Sequence, residues 1–180
     1  LGGGLNSLKG SKAIREFTDY FQIPSVNTLM AKGVVDEKDN LNMGMLGMFG
    51  TPYANMAIQE NDLFFAIGVR WDDRVAEKVG FGVDSQIVYF DINPEKMRQI
   101  RTERSPKLSF IGDASVALSD LMEYADKHKI HININGWQHR VKMLKKTWPL
   151  DYKREGTLIQ SAQVMDLLSS FIDENTKITT

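Results

Sequence analysis

Two arginines, Arg70 and Arg74, flank an acidic pair, Asp72 and Asp73, just past an apolar run from Leu63 to Ile67. A guanidinium presents a planar fork of N–H donors that matches a carboxylate or a phosphate. Upstream, Gly44, Gly47 and Gly50 recur at a spacing of three and lead into Thr51-Pro52, a helix start. Glycine lets backbone N–H groups approach a ligand, and a helix amino terminus favours an anion there. Asp91 closes a second apolar run, Ile87 to Phe90. An acid at that place takes ribose hydroxyls in many nucleotide-binding sheets, and capping a helix is its plainer role. Asp113 carries the same two readings, with capping favoured. Together these residues read as a site for a large phosphorylated cofactor.

Each of them also has a role that needs no ligand. The Arg70 to Arg74 run can form a mutual surface ion-pair cluster, which stabilises little. Glycine runs are commonly loop architecture, and neither GxGxxG nor the P-loop pattern is present. Met43, Met45 and Met48, interleaved with the glycines, serve as adaptable core filler. His128, His131 and His139 have no carboxylate or cysteine companions at ligand spacing, so no metal site is expected.

The elements that must position these groups alternate between strand and helix. A helix is expected from about Ser7, with Ile14, Phe17 and Phe21 on one face, and then a short strand over Ile23 to Leu29. Met30 to Asn42 reads as loop. A helix follows from Pro52 to about Glu60, capped by Thr51. Leu63 to Ile67 and Ile87 to Phe90 are continuous apolar runs, as in parallel strands covered on both faces. Asn93-Pro94 opens a helix, Leu108 to Ile111 is a strand, and Gly112-Asp113 turns into a helix striped by Leu118, Leu121, Met122 and Ala125. The fold class is therefore α/β, a doubly wound parallel sheet of Rossmann-like type.

Residues 1–126 are expected to form this nucleotide-binding domain. Residues 127–158 read as a linker with a helical piece around Gly136 to Trp148, and Lys127 to Arg154 within it carry eight Lys/Arg against one acid, Asp151. Residues 159–180 hold a helix, capped by Ser161 and striped by Val164, Leu167, Leu168 and Phe171. Lys177 to Thr180 start a strand, so this stretch reads as the entry to a further domain. The chain opens on Leu1-Gly2-Gly3-Gly4 and closes in a strand-like run, as a piece of a longer polypeptide would. A formal net charge of −1 gives no general attraction to nucleic acid. There is no cysteine, hence no disulfide framework, and no apolar run approaches the roughly 20 residues that span a bilayer.

The run GMLGMFGTPYAN from Gly44 to Asn55, followed by IGVRWDDR from Ile67 to Arg74, resembles the central domain of acetolactate synthase catalytic subunits, which are thiamine diphosphate-dependent enzymes. The family pattern is GMLGMHGT-x-YAN and GVRFDDR. The glycine triplet Gly2 to Gly4, Pro24 to Met30 as PxVxTLM, Asp91 to Pro94 as DIxP and Gly112 to Ala114 as GDA agree with it. The likeness covers most of Leu1 to Tyr124 and resumes weakly from Gln160.

That resemblance implies an enzyme that decarboxylates pyruvate on thiamine diphosphate and Mg2+ and joins the product to a second 2-ketoacid, pyruvate or 2-ketobutyrate, in branched-chain amino-acid biosynthesis. It implies FAD, largely structural, at Gly2, Gly3, Gly4, Thr28, Leu29, Met30, Met48, Phe49, Gly50, Arg70, Asp72, Asp91, Ile92, Asp113 and Ala114. Arg74 would hold the carboxylate of the second ketoacid, with Asp73 beside it at the channel. The glutamate that activates the thiazolium belongs upstream, and the magnesium and diphosphate motif downstream. These residues alone are therefore expected to form no acetolactate. A homo-oligomeric enzyme, dimer or tetramer, with a regulatory subunit and a cytoplasmic location completes the expectation.

Phe49 departs from the pattern, standing where the family has histidine, and the segment between Asp91 and Asp113 is a few residues longer than usual. Two other readings compete. One is the central domain of a pyruvate oxidase or 2-ketoacid decarboxylase. The other is a nucleotide-binding module without catalysis. The flavin reading requires Arg70 and Asp91 to share one end of the sheet.

Overall fold

A computed structural model of the chain describes residues 1–71, 82, 84–153, 156–173 and 175–177. Asp72, Asp73 and Arg74 lie outside the described residues. The chain divides into two compact units, Leu1–Trp148 and Pro149–Thr180.

The first unit is built on five parallel strands among the described residues. β1 (Ser25–Asn27) pairs with β2 (Asn42–Met45), and β3 (Leu63–Ile67), β4 (Gln86–Asp91) and β5 (Leu108–Ile111) follow in that order. Side chains alternate across a strand, and here each face meets its own helices. Phe65, Ile67, Val88 and Phe90 point to a core shared with α1 (Leu8–Phe21) and α4 (Ala114–Lys127), through Ile14, Phe17 and Leu118. Ala66, Ile87 and Tyr89 point the other way, to Met97 and Ile100 of α3 (Pro94–Glu103). This is the doubly wound α/β arrangement expected from the apolar strand runs.

Local chemistry sets the helix starts. The Ser7 hydroxyl accepts from the Gly10 N–H at 3.0 Å, and Thr51 accepts from Ala54 at 3.1 Å. Pro52 then opens α2 (Pro52–Glu60) at a position where its missing N–H costs nothing.

Three elements differ from the expectation. β1 stops at Asn27, because Leu29–Ala31 form a 3-10 turn led by Thr28. β2 occupies ground expected as loop and glycine turn, with Gly44 inside it at φ +76°. Its sequence has no apolar alternation to announce a strand. Side-chain amides hold it instead: Asn42 Oδ1 accepts from the Gly44 N–H at 2.8 Å and from Asn27 at 3.2 Å, while Asn42 Nδ2 donates to the Asp36 carbonyl at 3.0 Å. Within the stretch read as a linker, α5 (Asn135–Thr147) packs on α2, burying Val141 and Leu144 against Met43, Ala54 and Ala57. Arg140 of α5 closes a two-pronged ion pair on Glu60 at 2.6 Å for each bond.

Leu1 and Gly2 join the two groups of strands. The Leu1 amine donates to the Val26 carbonyl at 2.6 Å, and the Thr28 N–H donates back to the Leu1 carbonyl at 2.9 Å. That exchange is the ladder of a parallel pair. On the other side Gly2 donates to Ile67 at 2.9 Å and Gly4 to Gly68 at 3.2 Å. Behind this bridge, between β1 and β3, lies a mainly apolar cavity of about 820 Å³.

In the second unit α6 (Ser161–Ser169) begins at Ser161, so Gln160 rather than Ser161 is the cap residue, its N–H bonded to Gln163 Oε1 at 2.9 Å. Val164, Leu167, Leu168 and Phe171 are exposed there. Lys177 lies in no strand, and 178–180 lie outside the described residues.

The Arg140 guanidinium holds the Glu60 carboxyl below its ordinary 4.5, chiefly by hydrogen bonding. A carboxylate lowered in the native state contributes stability that is complete above 4.5 and is lost as pH falls through the native value. Glu60→Gln should therefore lower the urea midpoint at neutral pH, and the gap from the unaltered chain should close as pH falls from 4.5 through the native value. A gap that stayed constant over that range would show that the pair does not titrate with folding.

Candidate functional site

The described candidates come together at one edge of the sheet. Because β1 through β5 and the Leu1–Gly2 bridge all run parallel, their carboxyl ends face one way. Just past those ends stand Thr28, Leu29 and Met30 after β1, Met48 to Gly50 after β2, and Arg70 after β3. Asp91 and Ile92 follow at the end of β4, and Asp113 and Ala114 follow β5. Gly3 and Gly4 form a 3-10 turn beside them. Arg70 and Asp91 thus share one end of adjacent strands, since the Gly68 N–H bonds to the Phe90 carbonyl at 2.9 Å. In open parallel sheets this is the edge where ligands bind.

The glycines have structural reasons as well. A Cβ on Gly2 would overlap the Gly68 carbonyl, and one on Gly4 would come within 2.9 Å of Gly68 Cα. Gly68 itself has φ +62°. A Cβ on Gly50 would strike the Met45 carbonyl. Close backbone contact accounts for these three positions without a ligand. Gly3 and Gly4 nevertheless remain exposed at the edge.

The carboxylates are held in place. Asp91 accepts from the Asn93 N–H at 2.8 Å through one oxygen and from the Tyr89 hydroxyl at 2.9 Å through the other. Asp113 caps α4, accepting from the N–H and hydroxyl of Ser115 at 2.8 and 2.7 Å. Those bonds lower its pKa, so it is ionised at neutral pH. Burial raises the Tyr89 pKa, and its bond to the Asp91 carboxylate adds to the shift. The phenol therefore stays protonated and serves as a fixed donor.

Two residues at this edge were not foreseen. Tyr89 ties Asp91 to the chain after β3, bonding also to the Val69 carbonyl at 2.9 Å. Its signal was present: a tyrosine in a buried strand needs a partner for its hydroxyl, and position i+2 on the same face is Asp91. Trp71 adopts φ +54°, packs against Phe64 and Tyr89, and lies under the Arg104 guanidinium at 5.4 Å.

The edge thus combines cationic Arg70, four helix starts, oriented carboxylates and exposed apolar side chains. Leu29, Met30, Met48, Phe49 and Ile92 are all open to solvent, Phe49 at 88%. Such a surface suits an elongated ligand with an anionic middle, hydroxyl groups and a flat apolar end. Among the described residues, no group of three His, Asp or Glu is placed to hold a metal ion. Nor is any helix among them long and apolar enough to cross a membrane.

Residues 1–121 match the family model for the central domain of thiamine pyrophosphate enzymes. The chain belongs to this family. It is 35% identical over 173 residues to the acetolactate synthase large subunit of Cyanidium caldarium, covering 94% of this chain and 29% of that protein. The large subunit of Corynebacterium glutamicum is 37% identical over 172 residues, covering 94% and 27%. The chloroplastic acetolactate synthase 2 of Nicotiana tabacum is 34% identical over 176 residues, covering 94% and 26%. The chain thus spans less than a third of the length of these relatives.

Tyr89→Phe removes the single hydroxyl proton that the Val69 carbonyl and one Asp91 oxygen share. It should cost about 1–2 kcal/mol in denaturant unfolding. An unchanged midpoint would mean that water replaces the phenol at no cost.

Proposed function

We propose that this chain is the flavin-binding central part of an acetolactate synthase-type enzyme and contributes to the channel for its second 2-ketoacid. One observation carries the reading. Every described residue that the family likeness assigns to FAD follows the carboxyl end of a parallel strand, or lies in the glycine turn beside β3, at one edge. The donor set suits the cofactor: backbone N–H groups and Arg70 for the pyrophosphate, Asp91 for hydroxyl groups, and Leu29, Met30, Met48, Phe49 and Ile92 for the flat ring system. Phe49 replaces a polar contact with an apolar one, which favours a ring over a hydroxylated chain at that point. Gly2, Gly50, Thr28, Asp113 and Ala114 shape the surrounding backbone, and Asp72 belongs to the same assignment.

Arg74 and Asp73 are assigned to the second ketoacid from the family likeness and the match of a guanidinium to a carboxylate. Flavin in such an enzyme is structural, whereas decarboxylation and condensation belong to thiamine diphosphate and Mg2+. No residue of this chain is assigned to either, so the chain alone forms no acetolactate. The proposal brings with it 2-ketoacid substrates, a homo-oligomeric holoenzyme with a regulatory subunit, and a cytoplasmic location.

Titration of the chain with FAD, followed by flavin fluorescence and melting temperature, should give saturable binding that raises Tm. Arg70→Ala should weaken it about tenfold or more. Absence of saturable binding would overturn the flavin assignment. In the full-length enzyme, Arg74→Ala should raise KM for the second ketoacid with FAD content unchanged. Loss of FAD at unchanged KM would reverse the roles given to the two arginines.

A further inference from the structure

The turn between β2 and α2 holds two large apolar side chains out in solvent, Met48 at 83% and Phe49 at 88% exposure. The Gly50 N–H donates to the Gly47 carbonyl at 2.9 Å, so Met48 and Phe49 are the corner residues of a tight turn. Gly47 has φ +105°. A glycine at each end opens many alternative shapes to such a turn. Water favours the shapes that fold apolar side chains back onto the protein. The open shape therefore needs a restraint.

The first turn of α2 supplies it. Thr51 and Asn55 stand at i and i+4, on one face of the helix start. Thr51 fastens the stem: its N–H donates to the Met45 carbonyl at 2.8 Å, and its hydroxyl donates to the Met43 carbonyl at 2.7 Å. Asn55 fastens the head. Its Oδ1 accepts from the Gly47 N–H at 2.8 Å, while its Nδ2 donates to the Gly47 carbonyl at 3.0 Å. Both polar groups of one backbone residue are thus met by the two ends of one side-chain amide. A carboxylate offers no donor for this pairing, and a hydroxyl offers only one atom.

We infer that Asn55 is a positioning residue, which presets Met48 and Phe49 as an apolar platform for the planar end of the ligand at this edge. The inference rests on the flavin reading above. Ordering a turn with two glycines at the moment of binding would subtract from affinity. With the clamp made, the turn is ordered beforehand and the ring meets a ready surface. The consequence is selective. Asn55 matters for the ring end of the ligand, whereas the nucleotide end belongs to Arg70 and Asp91 after β3 and β4.

The test compares Asn55→Asp, Phe49→Ala and the double variant of the chain, with FAD and ADP as probes. Aspartate keeps an acceptor for the Gly47 N–H and suits the first turn of a helix, but sets a carboxylate oxygen against the Gly47 carbonyl. Asn55→Asp should weaken FAD about tenfold by lowering the fraction of open turn, and change ADP binding by less than about twofold. Because Asn55 acts through Phe49, the loss in the double variant should fall short of the product of the single losses. Without any ligand, Asn55→Asp should speed amide hydrogen exchange at Gly50 by about tenfold or more and leave Leu63 to Ile67 unchanged. Unaltered FAD affinity, equal weakening of FAD and ADP, or single losses that simply multiply would each overturn this inference and leave the flavin reading standing. Failure of the unaltered chain to bind FAD would overturn both. Unchanged exchange at Gly50 would overturn the clamp whatever the ligand.

Discussion

The close approach of two glycine backbones, Gly4 against Gly68, is the constraint on which the rest of the first unit depends. No side chain fits between them, and that proximity lets Gly2 and Gly4 bond to the carboxyl end of β3 while Leu1 bonds to β1. Two separate sets of strands thereby acquire a common direction. Helix starts, arginine and carboxylates reach one edge because the backbone is bare at this one point. A methyl group on either residue would separate the turn from the strand and scatter the groups that the edge assembles.

Around that contact the two faces of the sheet are filled differently. The α1 and α4 face is aromatic, with Phe17, Phe65, Phe90 and Phe110 in a run of ring contacts. The α3 face is narrower and ends in Tyr89, whose hydroxyl converts packing into orientation of Asp91. The acid at the carboxyl edge of the strands is thus held by a core residue. α5 adds a third cluster over α2, held at its rim by Arg140 and by Lys145 bonding to the Asn40 carbonyl at 2.8 Å.

How much of this was legible follows from which forces leave a local trace. β3, β4 and β5 stood out as apolar runs, and the four helices that follow strand ends stood out through Ser7, Thr51, Asn93 and Asp113 at their starts. The shared edge followed from topology once those strands were known to run parallel. β2 left no trace, because Asn42 and a left-handed glycine define it rather than an apolar pattern. The docking of α5 was hidden by its charge: Val141 and Leu144 are few among lysines, and their partners lie far away in sequence. Tyr89 was readable in principle, but only by asking what a buried hydroxyl bonds to. The FAD assignments came from family likeness, and the structure adds to them a common edge and a set of held carboxylates.

β5 ends the sheet with an open ladder and half-exposed Leu108, Phe110 and Ile111. Such a rim would recruit a neighbouring polypeptide if it were long and bare. It is four residues long, and two cations stand beside it. Arg101 reaches across to the Ser109 hydroxyl at 2.8 Å, and Lys107 to Gln86 at 2.8 Å. Brevity and fixed positive charge together discourage fibre-like stacking along this margin, so the sheet stops where its sequence stops it.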